Sequence, residues 1–181
     1  KRDNRRFPYL DFRAKPSEDY KVQSANIEDI FETIRKKGAR FNLVLSDCCN
    51  NDPDSTNAMG TPVPQSRGAG LDWNIDNCRA LFMNPKRESI LATAADKWQL
   101  ASCNINFGGF FSYFFKASME TNFSVFKKNV NWESVLQEAK RQTIYKANHT
   151  YCSKPPPGKP YGPEHVCMQE PVFSIFPKPN R

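Results

Sequence analysis

This sequence has no long apolar run, no cysteines at CxxC spacing and few histidines. No stretch of its 181 residues approaches the roughly 18 consecutive apolar residues that a membrane-spanning helix needs. The opening residues 1–12 also lack the apolar core of a signal peptide. Six cysteines are present, but none has the CxxC spacing of a zinc site. We therefore expect no membrane partner and no zinc, and only two histidines are available as a general base.

Positive charge is in excess but is spread along the chain. The formal net charge is +7, which attracts anionic partners without any dedicated site. The basic clusters lie at 1–6, 35–40, 127–128 and 140–141. None of them alternates with aromatic residues that would stack bases, so we expect no nucleic-acid partner. The compartment is left unresolved.

The first half of the chain predicts an α/β fold. Apolar residues with helical spacing follow Asn26 and end before Gly38, which predicts a capped amphipathic helix. Residues 41–45 form a nearly continuous apolar run, typical of a strand buried on both faces of a parallel sheet. A helix followed by a buried strand is half of a βαβ unit. The length fits a single domain over 1–181.

The second half adds further elements and two loops. A second buried strand is predicted at 89–96, a Phe-rich helix from about Phe107, a capped helix from Trp132 and a final strand at 171–176. Residues 50–88 are predicted to be a long loop, which at this length is usually functional or disordered. Residues 153–166 form a Pro/Gly-rich loop. The cysteines at either side of it, Cys152 and Cys167, are expected either to pair or to stay reduced and buried.

Chemistry is expected where the first strand ends, in the stretch "LVLSDCCNN". Ligands and catalytic groups gather at the carboxyl ends of strands in open α/β sheets, and Asp47, Cys48 and Cys49 follow such a strand. A thiol acts as a nucleophile there only if a base can deprotonate it; otherwise it is a small buried apolar residue. The second strand also ends in an acid, Asp96.

An aliphatic strand followed by Asp-x-Cys resembles the catalytic strand of metacaspases and other caspase-like cysteine peptidases. The later stretches "ILATAADKWQLASC" and "GGFFSYFF" are similar to that family's small-subunit strand, substrate loop and following helix. The resemblance covers most of residues 20–125. It implies a three-layer α/β/α sandwich with a mostly parallel central sheet. It also implies that Cys49 is the nucleophile and that Cys48 faces the other way.

Two departures from the family pattern concern histidine. The family's His-Ser-Gly after the cysteine is Asn50-Asn51-Asp52 here, and its Ser-Gly-His-Gly motif does not occur. His149 and His165 lie far downstream and are expected to be surface residues. Since the family's histidine strand comes just before a segment like "RRFPYLDFRA", we expect an N-terminal segment of the same precursor, separated by cleavage before Lys1, to supply the histidine. The alternative is a homologue without a base.

The resemblance also bears on specificity, because metacaspases cleave after Arg or Lys and caspases after Asp. Asp47 and Asp96 would supply negative charge for a basic P1 side chain; a capping or turn role for Asp47 and a surface position for Asp96 are the alternatives. Arg67 and Arg87, in the long loop, are candidate self-processing sites. No cofactor is expected; the alternative is calcium bound by Asp52 and Asp54.

Three hypotheses on function follow from the sequence. The first is an Arg/Lys-directed cysteine endopeptidase acting on peptide or protein substrates. The second is an inactive pseudo-peptidase that serves as a binding or scaffolding module. The third is a redox or metal role for Cys48 and Cys49, which is disfavoured because disulfides between adjacent cysteines are strained and further ligand spacing is lacking.

Overall fold

The described part of the chain contains both helices and small sheets. A computed structural model describes residues 5–50, 72–104 and 108–177. Its elements in chain order are β1 (Tyr9–Asp11), β2 (Ser24–Asn26), α1 (Ile27–Lys36), β3 (Asn42–Ser46), α2 (Ile75–Phe82), β4 (Ser89–Thr93), β5 (Cys103–Asn104), β6 (Gly108–Gly109), α3 (Phe110–Phe123), α4 (Trp132–Asn148) and β7 (Val172–Phe176). None of these helices is long and apolar enough to span a bilayer.

The central sheet has the strand order β3-β4-β7. β3 runs parallel to β4, with Asn42 opposite Ser89 and Ser46 opposite Thr93. β7 runs antiparallel to β4, and β1-β2 and β5-β6 are small antiparallel pairs. The predicted α/β class is confirmed. The described sheets are of mixed orientation, so the expected mostly parallel sheet is not what these strands show.

Helices pack on both faces of the central sheet. Successive side chains of a strand point to opposite faces, so β4 contributes residues to both. On one face, Leu91 of β4 and Val172 of β7 pack with Phe31 of α1. On the other, Ile90 and Ala92 of β4 pack with residues of α3 and α4, among them Phe111, Trp132, Val135 and Leu136. All five side chains of β4 are buried. β4 is therefore the buried centre of the described sheet.

β3 lies at the edge of this sheet. It was expected to be buried on both faces, but that expectation is wrong: Leu45 is 39% exposed, since no described strand lies beyond it. Asn42 N donates to Glu88 O, and Ser46 O accepts from Ala94 N. Backbone groups alternate in direction along a strand, so the amides of Leu43 and Leu45 point away from β4.

Three predicted helices are confirmed, and two of them have their predicted caps. The Asn26 side chain accepts a hydrogen bond from Glu28 N at the start of α1, and Asn131 accepts one from Ser134 N at the start of α4. The predicted inner face of α4 is buried at Trp132, Val135, Leu136, Ala139 and Thr143. The Phe stripe of α3 packs into the core through Phe111 and Phe115; Phe107 lies outside the described residues.

The long loop predicted for 50–88 is wrong at 75–82, where α2 forms. The Asn74 side chain caps α2 by accepting from Asp76 N, and Leu81 is buried against the α3–α4 side of the sheet. Only eight residues are helical, and Asp, Asn and Cys among them have low helix propensity. The apolar period was therefore too short to detect. Residues 51–71 lie outside the described part.

Cys152 and Cys167 are joined in a disulfide, so the paired alternative holds in this structure. The two bonded cysteines bracket the predicted Pro/Gly-rich loop 153–166, which contains only a short 3-10 turn at Pro163–His165. The backbone of Cys152 donates to His165 O and that of Cys167 to Thr150 O. The base of this loop is thus closed by a covalent bond and by backbone hydrogen bonds.

Candidate functional site at the carboxyl ends of β3 and β4

The loops that follow β3 and β4 are joined to each other by backbone hydrogen bonds. Asn50 N donates to Gln99 O (2.9 Å), and Trp98 N donates to Asn50 O (2.7 Å). We call residues 94–102, which follow β4, the wall segment. Because β3 and β4 are parallel, both loops leave the same edge of the sheet. The two loops that carry the predicted site residues are therefore in contact.

The side chain of Asn50 strengthens this connection. Its Nδ2 donates to Arg6 O (2.7 Å) and to Ala95 O (3.4 Å). Asn50 thus ties the cysteine loop to the wall segment and to the N-terminal segment. The caspase-like family has a histidine at this position, whereas the Asn50 amide of this chain holds two loops together.

The two adjacent thiols have different partners. Cys49 Sγ is half-buried and donates to Ala101 O (3.7 Å), whereas Cys48 Sγ lies 2.9 Å from Ser46 Oγ. Both are free thiols, so no disulfide joins them. Burial is the largest cause that raises the pKa of Cys48, and a protonated thiol is a poor nucleophile. Of the pair, Cys49 has the better placed thiol.

Neither histidine is hydrogen-bonded to Cys49. His149 Nδ1 lies 2.7 Å from Tyr145 O. His165 Nδ1 lies 2.9 Å from Ser153 Oγ, and its Nε2 lies 3.2 Å from Glu164 Oε1. The described residues therefore bring no imidazole into hydrogen-bonding contact with the candidate nucleophile.

Asp47 reaches the start of α3. Its Oδ2 accepts a hydrogen bond from Ser112 N (2.8 Å). Gly109, the N-cap residue of α3, offers no capping side chain, and a Cβ at that position would collide with the Asp47 carboxylate. A carboxylate at a helix N-terminus also interacts favourably with the helix dipole. Asp47 is therefore a cap for α3, close to the capping role given above as its alternative.

The second carboxylate oxygen of Asp47, Oδ1, does not cap α3. Oδ1 is buried and has no hydrogen-bond partner among the described residues. A buried carboxylate oxygen without a donor is costly. Among the buried side-chain oxygens of the predicted site residues, Asp47 Oδ1 is the one without a partner in the described part of the chain.

Asp96 forms an ion pair with Arg6 of the N-terminal segment. Arg6 Nε donates to Oδ1 (3.0 Å) and Arg6 Nη2 to Oδ2 (2.8 Å), a bidentate ion pair. The Arg6 hydrogen bond is the largest cause that lowers the pKa of Asp96. Both carboxylate oxygens are thus occupied, so this structure does not support the expected binding of a P1 side chain by Asp96.

Three neighbours of the site were not predicted from the sequence. Gln99 Oε1 accepts from Asp96 N and Glu170 N, and the buried Gln169 contacts both ends of the wall segment. Trp98 is about half exposed beside Asn50 and has φ 69°, a costly conformation for a bulky residue. No local pattern marks a buried glutamine or a positive φ at Trp, so no sequence signal could have found them.

The remaining predicted residues are partly outside the described ranges. Asp52, Asp54 and Arg67 fall within 51–71, so neither the calcium expectation nor the first processing site can be placed. Arg87 is exposed in the turn between α2 and β4, with φ 53°. Among the described residues there is no group of three or more His, Cys, Asp or Glu that could hold a metal ion.

No protein-family model, no curated protein and no solved structure matches this chain. The function is therefore argued from the geometry of the site and from the resemblance of its motifs.

Removing the Asp47 carboxylate should destabilise the protein through α3. We expect Asp47→Ala to lower the free energy of unfolding by about 1–2 kcal/mol, because Ser112 N loses its acceptor. Asp47→Asn keeps an acceptor oxygen and should lose only about 0.5 kcal/mol of charge–dipole interaction. Urea unfolding measures both, with the exposed Asp76→Ala as the matched control. An Asp47→Ala variant as stable as the wild type would contradict the capping role.

The Arg6–Asp96 pair should contribute to stability only above acidic pH. Since pairing lowers the pKa of Asp96, its contribution is present above the ordinary carboxyl value of about 4 and is lost as pH falls through the lower, folded-state value. The wild type should therefore lose stability more steeply than Asp96→Asn below about pH 4. At pH 7 the difference should be at most about 1 kcal/mol, since the pair is partly exposed.

Urea unfolding of the wild type, Arg6→Gln, Asp96→Asn and the double variant between pH 2 and pH 7 measures this contribution as a double-mutant cycle. Arg6→Gln should give the same flattened acid profile as Asp96→Asn. Strictly additive effects of the two substitutions would show that the ion pair has no energetic role.

Proposed function

We propose that this chain is the cysteine-bearing part of a caspase-like, Arg/Lys-directed cysteine endopeptidase with a three-layer α/β/α sandwich. The observation that carries the proposal is the position of the Cys49 thiol. It is free, half-buried and at the carboxyl end of β3, where it faces Ala101 of the wall segment. Two further features add support. Helices pack on both faces of the described sheet, and the two motifs that resemble the caspase-like family occur in that family's order.

In the proposed reaction, the Cys49 thiolate attacks the scissile carbonyl carbon. A C–S bond forms, the C–N bond breaks, and a histidine returns the proton to the leaving amine. Water then hydrolyses the thioester. Backbone N–H groups, that of Cys49 and one from the histidine loop, would stabilise the oxyanion.

The histidine is proposed to come from an N-terminal segment of the same precursor. Two features support this. The described histidines have other hydrogen-bond partners, and the amides of Leu43 and Leu45 on β3 point away from the only described strand that pairs with it. A strand added parallel to β3 would pair with these amides and would end at the same edge of the sheet as Cys49.

Basic P1 specificity is proposed to depend on Asp47 rather than on Asp96. The buried Asp47 Oδ1 lacks a described hydrogen-bond donor, and a guanidinium or ammonium group would supply one. Asp96 already has Arg6 on both oxygens. One carboxylate would thus cap α3 with one oxygen and select substrate with the other.

A second candidate function is an inactive scaffold or binding module. It is favoured by Asn50, whose amide is committed to Arg6 O and Ala95 O at the position where the family has histidine. Under this alternative the candidate site would bind a partner segment without cleaving it.

Peptide hydrolysis distinguishes these functions. The substrates are fluorogenic peptides that differ only at P1, with Arg, Lys, Asp or Leu. They are tested with this chain and with a longer product that includes the preceding residues, each with and without calcium. We expect turnover of the Arg and Lys peptides that is lost in Cys49→Ala and kept in Cys48→Ala, because the Cys48 thiol is hydrogen-bonded to Ser46 and does not face the wall segment. Asp47→Asn should reduce the preference for Arg and Lys over Leu.

Turnover that survives Cys49→Ala would assign the nucleophile elsewhere. The absence of turnover with every peptide, in both the short and the longer product, would overturn the peptidase proposal and favour the scaffold.

A further inference from the structure

The peptide group between Ala101 and Ser102 is held from both of its ends. Its carbonyl oxygen, Ala101 O, accepts the hydrogen bond of the Cys49 thiol (3.7 Å). Its N–H, on Ser102, donates to Gln169 Oε1 (2.8 Å). Because a peptide group is planar, the direction of its N–H also fixes the direction of its carbonyl. Gln169 therefore determines where the acceptor for the thiol points.

Gln169 is suited to hold this peptide group. The side chain is 3% exposed, and its Nε2 donates to Ala94 O (3.1 Å) while Oε1 accepts from Ser102 N. A single carboxamide thus connects the two ends of the wall segment. Ala94 N in turn donates to Ser46 O (2.8 Å), so the same connection extends to the end of β3.

The backbone around Gln169 is also fixed. Cys167, two residues earlier, is in the disulfide with Cys152, and Cys152 Sγ lies 3.4 Å from Ser102 Oγ. Glu170 N donates to Gln99 Oε1 (2.7 Å). Covalent and hydrogen-bonded anchors therefore lie on both sides of this glutamine.

We propose that Gln169 is a positioning residue for the Cys49 thiol: it orients the 101–102 peptide group so that Ala101 O holds the thiol in one direction. The inference rests on the proposed role of Cys49 as nucleophile. A carbonyl oxygen accepts a hydrogen bond and cannot donate one, so Ala101 O holds the thiol through its S–H. Loss of Gln169 should free the sulfur, which would react more readily with a small reagent and be less well placed for a peptide substrate.

The test is the rate at which iodoacetamide alkylates each cysteine at pH 7, followed by peptide mass spectrometry. Gln169→Met removes the carboxamide at similar volume. We expect Cys49 to react about three- to tenfold faster, the size expected when one hydrogen bond to the thiol is lost. The half-buried Cys78 serves as an internal control and should be unchanged. For substrates that are turned over, kcat should fall while KM changes little.

Two control variants isolate the 101–102 peptide group. Gln99→Met loses the bonds to Asp96 N and Glu170 N within the same region but does not touch this peptide group, so the Cys49 rate should rise less than in Gln169→Met. Gln169→Glu keeps an acceptor for Ser102 N but loses the donor to Ala94 O and buries a charge, so the Cys49 rate should rise less than in Gln169→Met. If Gln169→Met fails to fold, Gln169→Asn replaces it, since its side chain is too short to reach both partners.

An unchanged Cys49 rate in folded Gln169→Met would overturn the proposal, and so would an equal rise at Cys49 and Cys78, which indicates general loosening. The readout does not depend on peptidase activity. A selective response of Cys49 without peptide cleavage would keep the positioning role and reject the proposed function. Peptide cleavage without a selective response of Cys49 would keep the proposed function and reject the positioning role of Gln169.

Discussion

The parallel pairing of β3 with β4 is the constraint on which the site depends. Its register, from Asn42 opposite Ser89 to Ser46 opposite Thr93, sends the cysteine loop and the wall segment out from the same edge of the sheet. Beyond the strands the pairing continues through the bond between Ala94 N and Ser46 O and through the two bonds of Asn50. A shift of one residue would turn every side chain of β3 to the other face and move Cys49 away from Ala101.

The charged groups around this edge are used mainly to hold loops together. Asp96 binds Arg6, and Asp47 caps α3. Lys140 of α4 pairs with Glu170 (2.6 Å), next to the glutamine that spans the wall segment. Each interaction joins an element to the carboxyl end of the sheet. Stability and site geometry therefore depend on the same side chains, and Asp47 Oδ1 is the one buried carboxylate oxygen without a partner among the described residues.

The sequence was informative where a residue's neighbours in space are also its neighbours along the chain. The caps Asn26 and Asn131 and the inner face of α4 were predictable because helical contacts recur every three or four residues. The buried β4 was predictable from its continuous apolar run. α2 was missed because eight residues carry too few apolar positions to define a period.

The contacts that define the site join residues far apart in the chain. Asp47 meets Ser112 and Asp96 meets Arg6 across 65 and 90 positions, and Gln169 meets Ser102 across 67. The alternation of apolar and polar residues contains no signal for such pairs. The sequence could place an acid and a thiol at a strand end, but it could not say which partner the acid would take.

We propose that β3 receives the strand bearing the base on the side where no described strand pairs with it. Amide hydrogen exchange along β3 tests it, in this chain alone and in a longer product that includes the preceding residues. In the chain alone, Leu43 and Leu45 should exchange at least about tenfold faster than Val44 and Ser46, whose amides face β4. In the longer product, all four amides should be protected. Equal protection of the four amides in the chain alone, or no added protection of Leu43 and Leu45 in the longer product, would contradict the account.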